Sequence, residues 1–347
     1  MRKSKNISYK YSLTIKFILL FFSAFLSCIT GCDCGDQINN SNLDPLYSDE
    51  RIFLSTDAGE TWEKQYPSKY GYQSIGYTYS SGGYKIIALS SGHDYIYTTD
   101  LGRNWKDTSF ISSEFFYDLA FSPYDGVFSI TTGKNTIFHS TDNCNTWSMQ
   151  NAGASEKLHY IDFSVSSTLF QAAVGDYNDR IYLSTSGGNS WVYTVTGITG
   201  TERFTGIKYI RDNIIAAFGY DSLMLRSTDY GNSWSPQDMP GTASMLSLAS
   251  NPELQTLIGG SNAAGKFFYS PDLGNTWELK EFTASTYRSR IFSISYNGII
   301  IGGGDGGELI KSTDRGMTWR KITMATDKNF QDVVFINNSL VVAVCSY

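Results

Sequence analysis

Beyond residue 50, short apolar runs alternate with clusters of Gly, Ser, Asn and Asp to the end of the chain. Some runs, such as Phe204–Tyr209 and Arg290–Tyr296, alternate apolar and polar residues with a period of two. Others, such as Asn213–Phe218, are almost continuously apolar. The first pattern predicts strands buried on one face, and the second predicts strands covered on both. Further strands are predicted at Phe115–Phe121, Gly126–Thr131, Gly298–Gly302, Phe330–Ile336 and Ser339–Cys345. No segment after residue 32 has the 3.6-residue spacing of an amphipathic helix.

A repeat organises these strands. Ser55-Thr56-Asp57-Ala58-Gly59-Glu60-Thr61-Trp62 has six further copies, which end at Trp105, Trp147, Trp191, Trp234, Trp277 and Trp319. The steps between tryptophans are 43, 42, 44, 43, 43 and 42 residues, and all seven Trp of the chain close a copy. Asp57, Asp100, Asp142, Asp229, Asp272 and Asp314 occupy the third position, and Ser186 replaces Asp in the fourth copy. Cys144 replaces Gly in the third copy. The octapeptide resembles the Asp-box of BNR repeats, S-x-D-x-G-x-T-W. Its logic is that of a hairpin: the Asp carboxylate accepts N–H bonds across the turn. Gly supplies a positive φ, and the Trp ring covers the underside. The motif is therefore structural, and the turns carrying Cys144 and Ser186 are expected to be looser or differently bonded.

Each repeat holds four strands, A to D, with the Asp-box joining C to D. Four-stranded units at a period near 43 predict an all-β, seven-bladed β-propeller of antiparallel blades over residues 50–347. The first box arrives too early for an A and a B strand to precede it. The last box is followed by A and B strands with no C and D. The closing blade is therefore expected to combine C and D from residues 50–66 with A and B from 330–345, a seam that removes open sheet edges.

The N-terminus has a different character. Residues 1–31 carry Arg2, Lys3, Lys5, Lys10 and Lys16 and no acidic residue. Phe17–Ile29 is an apolar run of thirteen residues, shorter than the roughly 17–25 needed to span a bilayer. It reads as the core of a secretory signal. Ile29-Thr30-Gly31-Cys32 resembles the bacterial lipobox, which implies cleavage after residue 31 and a lipid on Cys32. Cys28 and Cys34 fit less well, following Phe25-Leu26-Ser27 and Asp33. Residues 32–49 then form a polar tether, and localisation is expected in the bacterial cell envelope.

Charge and cysteines narrow the chemistry. The chain has 27 basic and 33 acidic residues, so removal of residues 1–31 leaves a body of net charge −11. Such a body lacks a broad footprint for nucleic acid. Five Cys and three His in no CxxC or Cys/His cluster predict no metal, and no cofactor is expected.

Known Asp-box propellers offer three comparisons. Sialidases resemble the chain in their boxes, but they carry an Arg-Ile-Pro motif where Arg51-Ile52-Phe53 stands here. Xyloglucanase-type enzymes place paired carboxylates between two propellers. The chain is most similar to seven-bladed propellers of the photosystem II assembly-factor type and to WD40/YVTN/BNR-like repeat proteins. It departs from their Trp- and Gly-rich B strands at Ile215–Phe218 and Leu257–Gly260. The resemblance implies a non-enzymatic scaffold that binds a protein partner. The alternative is a propeller that binds or cleaves glycans, with Tyr or Phe as the sugar platform.

Strand direction places the A–B and C–D turns on one face and the D–A and B–C connections on the other. Uniform boxes occupy the first face, so a binding site is expected on the second. His93, Asp94, His159, Asp179, Arg180, Arg203, Tyr220, Arg288, Arg290 and Asp305 lie on its connections. Arg203, Arg288 and Arg290 are the preferred patch, suited to an acidic partner.

Overall fold

The computed structural model describes residues 51–346, except 66–70, 81, 91, 93, 110–113, 123–125, 133, 156, 165, 167–169, 176–178, 199–202 and 286. The expected signal, Cys32, the tether and His93 lie outside the described residues.

The chain opens with β1 (Ile52–Ser55) and β2 (Glu63–Lys64). Blade 1 follows as β3 (Tyr72–Ser80), β4 (Gly83–Ser90), β5 (Asp94–Thr98) and β6 (Lys106–Ser109). Blade 2 is β7 (Phe116–Phe121), β8 (Phe128–Thr132), β9 (Thr136–Ser140) and β10 (Ser148–Asn151). Blade 3 is β11 (Leu158–Phe163), β12 (Gln171–Gly175), β13 (Arg180–Ser184) and β14 (Val192–Val195). Blade 4 is β15 (Phe204–Arg211), β16 (Ile214–Gly219), β17 (Met224–Ser227) and β18 (Ser235–Pro236). Blade 5 is β19 (Met245–Asn251), β20 (Thr256–Ser261), β21 (Lys266–Ser270) and β22 (Glu278–Glu281). Blade 6 is β23 (Ser289–Ile294), β24 (Ile300–Gly304), β25 (Leu309–Ser312) and β26 (Arg320–Ile322), with a single 3-10 turn at Asp305–Gly307. β27 (Phe330–Phe335) and β28 (Val341–Cys345) end the chain.

Every blade is a four-stranded antiparallel sheet, and the seventh has the order β2-β1-β28-β27. The seam is thus a β1–β28 ladder, Ile52 opposite Val344 and Ser55 opposite Val341. Arg51 ties its ends: its carbonyl accepts the Cys345 N–H at 2.9 Å, and its Nη1 donates to the Ser346 carbonyl at 2.7 Å. The predicted B strands began too early at Gly126 and Gly298. Those glycines have φ of +70° and +88° and belong to the preceding turns.

The B strands β8, β12, β20, β24 and β28 are buried along their whole length. Their side chains fill the layers between blades. Ile52, Val342 and Val344 of blade 7, for example, pack with Ile75, Ile86 and Ile96 of blade 1. Burial of each such side chain contributes roughly 1.5–3 kcal/mol. Cys144 and Cys345 are buried free thiols.

The inner A strands have a second edge that no strand of their own blade covers. Side chains of neighbouring blades satisfy it. Asp118 Oδ2 accepts the Ile161 N–H at 3.0 Å, Asp162 Oδ2 accepts that of Tyr209 at 2.7 Å, and Asp332 Oδ2 accepts that of Ile75 at 2.9 Å. Ser293 Oγ accepts the Phe335 N–H at 3.1 Å. Each bond joins one blade to the next, the Asp332 bond across the point where blades 7 and 1 meet.

The Asp-boxes share one hydrogen-bond pattern. In the first, Ser55 Oγ donates to Asp57 Oδ1 at 2.8 Å and accepts the Gly59 N–H at 2.7 Å. Asp57 Oδ1 accepts the N–H groups of Glu60 and Thr61, both at 2.9 Å, and Oδ2 accepts the Thr61 hydroxyl. Partial burial pushes this carboxyl up, but the bonds from Thr61, Ser55 and Glu60 outweigh it and bring the pKa to about 2. Asp100 also falls to about 2, chiefly through Asn104.

The two departures behave differently. The Ser186 turn is rebonded: one hydroxyl takes the Ser190 N–H at 2.9 Å and meets the Ser190 hydroxyl at 2.8 Å. In the Cys144 turn, Trp147 Nε1 donates to the Tyr95 hydroxyl at 3.3 Å, where Trp62, Trp191, Trp234 and Trp319 donate to the carbonyl of the box glycine. This turn keeps the Asp142 bonds, Oδ1 accepting from Asn145 and Thr146 at 3.1 and 2.9 Å. Asn143 and Cys144 both adopt φ of +59° to do so. Neighbours hold them there. Lys85 Nζ donates to the Asn143 carbonyl, and the Tyr95 hydroxyl donates to the Cys144 carbonyl at 3.2 Å.

Candidate functional site at the mouth of the central channel

Backbone bonds fix the two faces. The Asn143, Tyr230 and Leu273 N–H groups in the boxes donate to Gly126, Asn213 and Gln255 in the A–B turns. On the other side, the Tyr220 and Asp305 N–H groups in B–C connections donate to the Arg203 and Arg288 carbonyls.

On that second side every blade repeats one irregularity. The register of the A–B pair shifts after the first residue of each A strand. A bulge leaves one residue unpaired and re-aims its side chain. The seven bulged residues are Gln73, Tyr117, His159, Thr205, Leu246, Arg290 and Gln331. All but His159 line the central channel, which encloses about 650 Å³. His159 stacks on Tyr117 with ring centroids 4.1 Å apart, so adjacent bulges form a flat aromatic step. Six of the seven blades therefore bring a bulged side chain to the channel, of five types: Gln73 and Gln331, Tyr117, Thr205, Leu246 and Arg290.

Among the sequence-predicted residues, the structure brings Arg288, Arg290 and Asp305 together. Asp305 Oδ2 lies 2.8 Å from Arg288 Nε, and Oδ1 lies 2.6 Å from Arg290 Nε. The second contact is an ion pair without an aligned hydrogen bond. Gly304 makes this approach feasible: a Cβ there would fall 1.7 Å from the Arg288 carbonyl oxygen. Arg203 stands at the start of blade 4, two blades from the other arginines. The expected three-arginine patch is therefore a partly neutralised Arg288–Asp305–Arg290 group, in which two cations share one carboxylate, plus a separate Arg203.

The remaining predicted residues are dispersed. Tyr220, 41% exposed, reaches the channel. Arg180 lies over the Tyr193 ring, 4.4 Å from its centroid, toward the outer edge of blade 3. The Asp179 carbonyl accepts the Thr196 N–H and hydroxyl at 2.7 and 2.8 Å, a structural bond between C and D strands. Asp94 opens β5, opposite Ser109.

Below the mouth lie carboxylates that the sequence reading did not select. Burial pushes Asp118 up to about 7, against N–H bonds from Ile161 and Leu119 and with Asp332 and Asp162 adding repulsion. Burial likewise raises Asp332 to about 6. It raises Asp162 too, opposed by Lys208, whose Nζ lies 3.1 Å from Oδ1. A single Asp in an otherwise apolar A strand, as in Phe116-Tyr117-Asp118-Leu119, was the available signal. Among the described residues no group of three His, Cys, Asp or Glu could hold a metal, and no helix is long and apolar enough to cross a membrane.

The family described as photosynthesis system II assembly factor YCF48 matches residues 40–228. No curated protein sequence matches the chain. Among solved structures, YCF48 bound to a D1 peptide is similar at a TM-score of 0.64 and 16% identity, covering 84% of this chain and 100% of that one. YCF48 from Cyanidioschyzon merolae gives 0.64 and 13%, covering 81% and 97%. A GH74 xyloglucanase from Xanthomonas campestris gives 0.65 and 10%, covering 80% of this chain and 51% of that one. At these identities the structural likeness carries the fold.

Proposed function

The chain belongs to the family of the photosynthesis system II assembly factor YCF48, and on that premise we propose a non-enzymatic scaffold that captures a partner protein at the channel mouth. The observation that carries this reading is the ring of bulged residues. Seven identical backbone devices carry side chains of six types, which is how a uniform scaffold acquires a specific surface. The solved relative holding a D1 peptide supports a peptide or protein as the ligand class. Arg203, together with the Arg288–Asp305–Arg290 group, would steer an acidic segment toward the mouth. The proposal includes a lipid anchor on Cys32 that keeps the propeller at a bacterial envelope membrane.

The reading is tested by affinity capture with the full chain. Arg203→Glu, Arg288→Glu and Arg290→Glu together should weaken recovery of the partner by more than the accompanying fall in Tm explains. That fall reflects the lost Asp305 ion pairs and should be matched by an Asp305→Ala control that keeps recovery. Recovery that survives there, but fails on Arg103→Glu or Arg315→Glu in the boxes, would move the interface to the opposite face. The anchor has its own readout: Cys32→Ala should release the protein from membranes into the soluble fraction.

The GH74 likeness favours glycan binding or cleavage as the second reading. Turnover of fluorogenic glycosides, or saturable binding on a glycan array, would replace the scaffold by it.

A further inference from the structure

The A–B face carries a second concavity, on the side away from the channel mouth. It encloses about 360 Å³ and is walled by Tyr77, Tyr79, Tyr84 and Tyr296, with Asn337 and Asn338 on its rim. Three consecutive blades build it. The β3–β4 hairpin of blade 1 supplies three tyrosines, the end of β23 in blade 6 supplies Tyr296, and the β27–β28 turn of blade 7 supplies the two asparagines.

The blade 1 hairpin is extended in a way that creates the wall. Beyond its bulge it pairs from Ser74 to Ser80, whereas β7–β8 in blade 2 stops after Asp118 to Phe121. The added length carries Tyr79 and Tyr84, opposite each other in register, with ring centroids 4.8 Å apart. Tyr77 stands behind them and is braced by Phe121 at 5.2 Å. Tyr79 is 51% exposed and Tyr296 75%, although a free-standing hairpin tip needs neither ring for packing.

The polar groups of the pocket are biased toward donation. Asn337 Oδ1 already accepts from the Ser339 N–H, the Ser339 hydroxyl and the Leu340 N–H at 2.8–3.0 Å. Asn338 Oδ1 accepts the Asn297 N–H at 3.1 Å. The Asn337 oxygen is thereby saturated, and the Asn338 oxygen is held by one bond, which leaves the NH₂ groups as the principal amide donors of the rim. Ser295 is buried and its hydroxyl is turned inward to Asn297 and Ile299. No charged side chain lines the pocket.

Aromatic walls with outward N–H and O–H donors suit a ligand that is apolar, neutral and rich in acceptors. A polyproline II segment meets all three requirements: prolyl rings pack on aromatic faces, and prolyl carbonyls accept while offering no N–H. An oligosaccharide carries hydroxyls along its whole length and needs a dense set of polar partners, whereas the walls here are rings and aliphatic side chains, with the tyrosine hydroxyls and two asparagine amides as the main side-chain polar groups. We infer that the Tyr77–Tyr79–Tyr84–Tyr296 pocket is a receptor for a proline-rich segment of a partner protein. This goes beyond the capture at the channel mouth and occupies the other face.

Fluorescence anisotropy of labelled decaproline against the full chain tests the inference, with a Gly-Ser peptide of equal length and a neutral β-glucan oligosaccharide in parallel. Decaproline should bind saturably. Tyr79→Ala with Tyr296→Ala should weaken it by about tenfold or more, as expected for aromatic anchors. The Tm should not change, since both rings are exposed. Tyr79→Phe, which keeps the ring and removes a donor, and Asn338→Asp, which keeps the acceptor for the Asn297 N–H and removes the NH₂, should each weaken it by about threefold or more. Equal binding of the Gly-Ser peptide, no saturation, or full affinity in the double variant would overturn the inference. Oligosaccharide binding lost in the double variant would overturn it in favour of a glycan site. The arginine reversals at the mouth should leave decaproline affinity intact, so the two readings fail separately.

Discussion

Aspartates serve two regions of this propeller in opposite ways. In the box turns, each carboxylate sits at the surface and collects donors from its own loop, as Asp57 does from Ser55, Glu60 and Thr61. In the channel wall, Asp118, Asp162 and Asp332 reach across to the next blade for a backbone N–H. The first arrangement drives the pKa down to about 2 at Asp57, and the second drives it up to about 7 at Asp118. The same side chain is thus kept ionised by a local turn and kept near neutrality by enclosure. Box aspartates shape one hairpin each, whereas channel aspartates hold the ring of blades together.

The largest effect should come from cutting a cross-blade bond. Asp118→Ala leaves the Ile161 and Leu119 N–H groups without acceptors and should cost about 2–3 kcal/mol in chemical denaturation. A smaller loss than that of a box variant would erase the distinction. Asp272→Ala removes bonds at 2.9 and 2.7 Å that solvent partly replaces, and should cost about 1 kcal/mol. Ser186→Asp restores the second oxygen that the fourth box lacks and should stabilise by about 0.5 kcal/mol.

A pH series sharpens the same contrast without mutation. Box carboxyls have depressed values, so their contribution is present above the ordinary 3.8 and lost as pH falls through about 2. Asp118 has a raised value, so its contribution is complete below 3.8 and lost as pH rises through about 7. The Tm should therefore peak near about pH 4 and fall toward about pH 7, and Asp118→Asn should make that fall shallower, leaving the part due to Asp332 and Asp162. A Tm still climbing from pH 5 to 8 would refute this assignment.

The sequence announces the box aspartates and conceals the channel ones, for a physical reason. A turn is built from contiguous residues, so Ser55 to Trp62 repeat as a motif and fix blade number, strand order and the seam. Cross-blade bonds join residues more than 40 apart; Asp118 and Asp332 share a Phe-x-Asp start to their A strands, but Asp162 stands elsewhere in its own, and nothing local names the N–H that each one reaches. Strand direction put Arg290 and His159 on the side of the D–A and B–C connections. It could not reveal that both are bulged residues, because a bulge is a property of pairing. Nor could it show Asp305 standing between Arg288 and Arg290. The tyrosine pocket escaped notice because its walls come from three blades. The form of the altered Cys144 turn was not legible because Lys85 and Tyr95, which brace it, lie in another blade, and the Tyr95 hydroxyl also accepts the Trp147 N–H.

The β1–β28 ladder also imposes an order of events on synthesis. The ribosome releases β1 and β2 first, yet their partner strands are the last to be made. At about 5–20 residues per second, Ile52, Phe53 and Leu54 wait roughly 15–60 s for Val341–Cys345. Throughout that interval six blades can assemble in sequence, while apolar β1 stays uncovered. The ring therefore becomes whole only once β28 has emerged, and β1 needs shelter from aggregation until then.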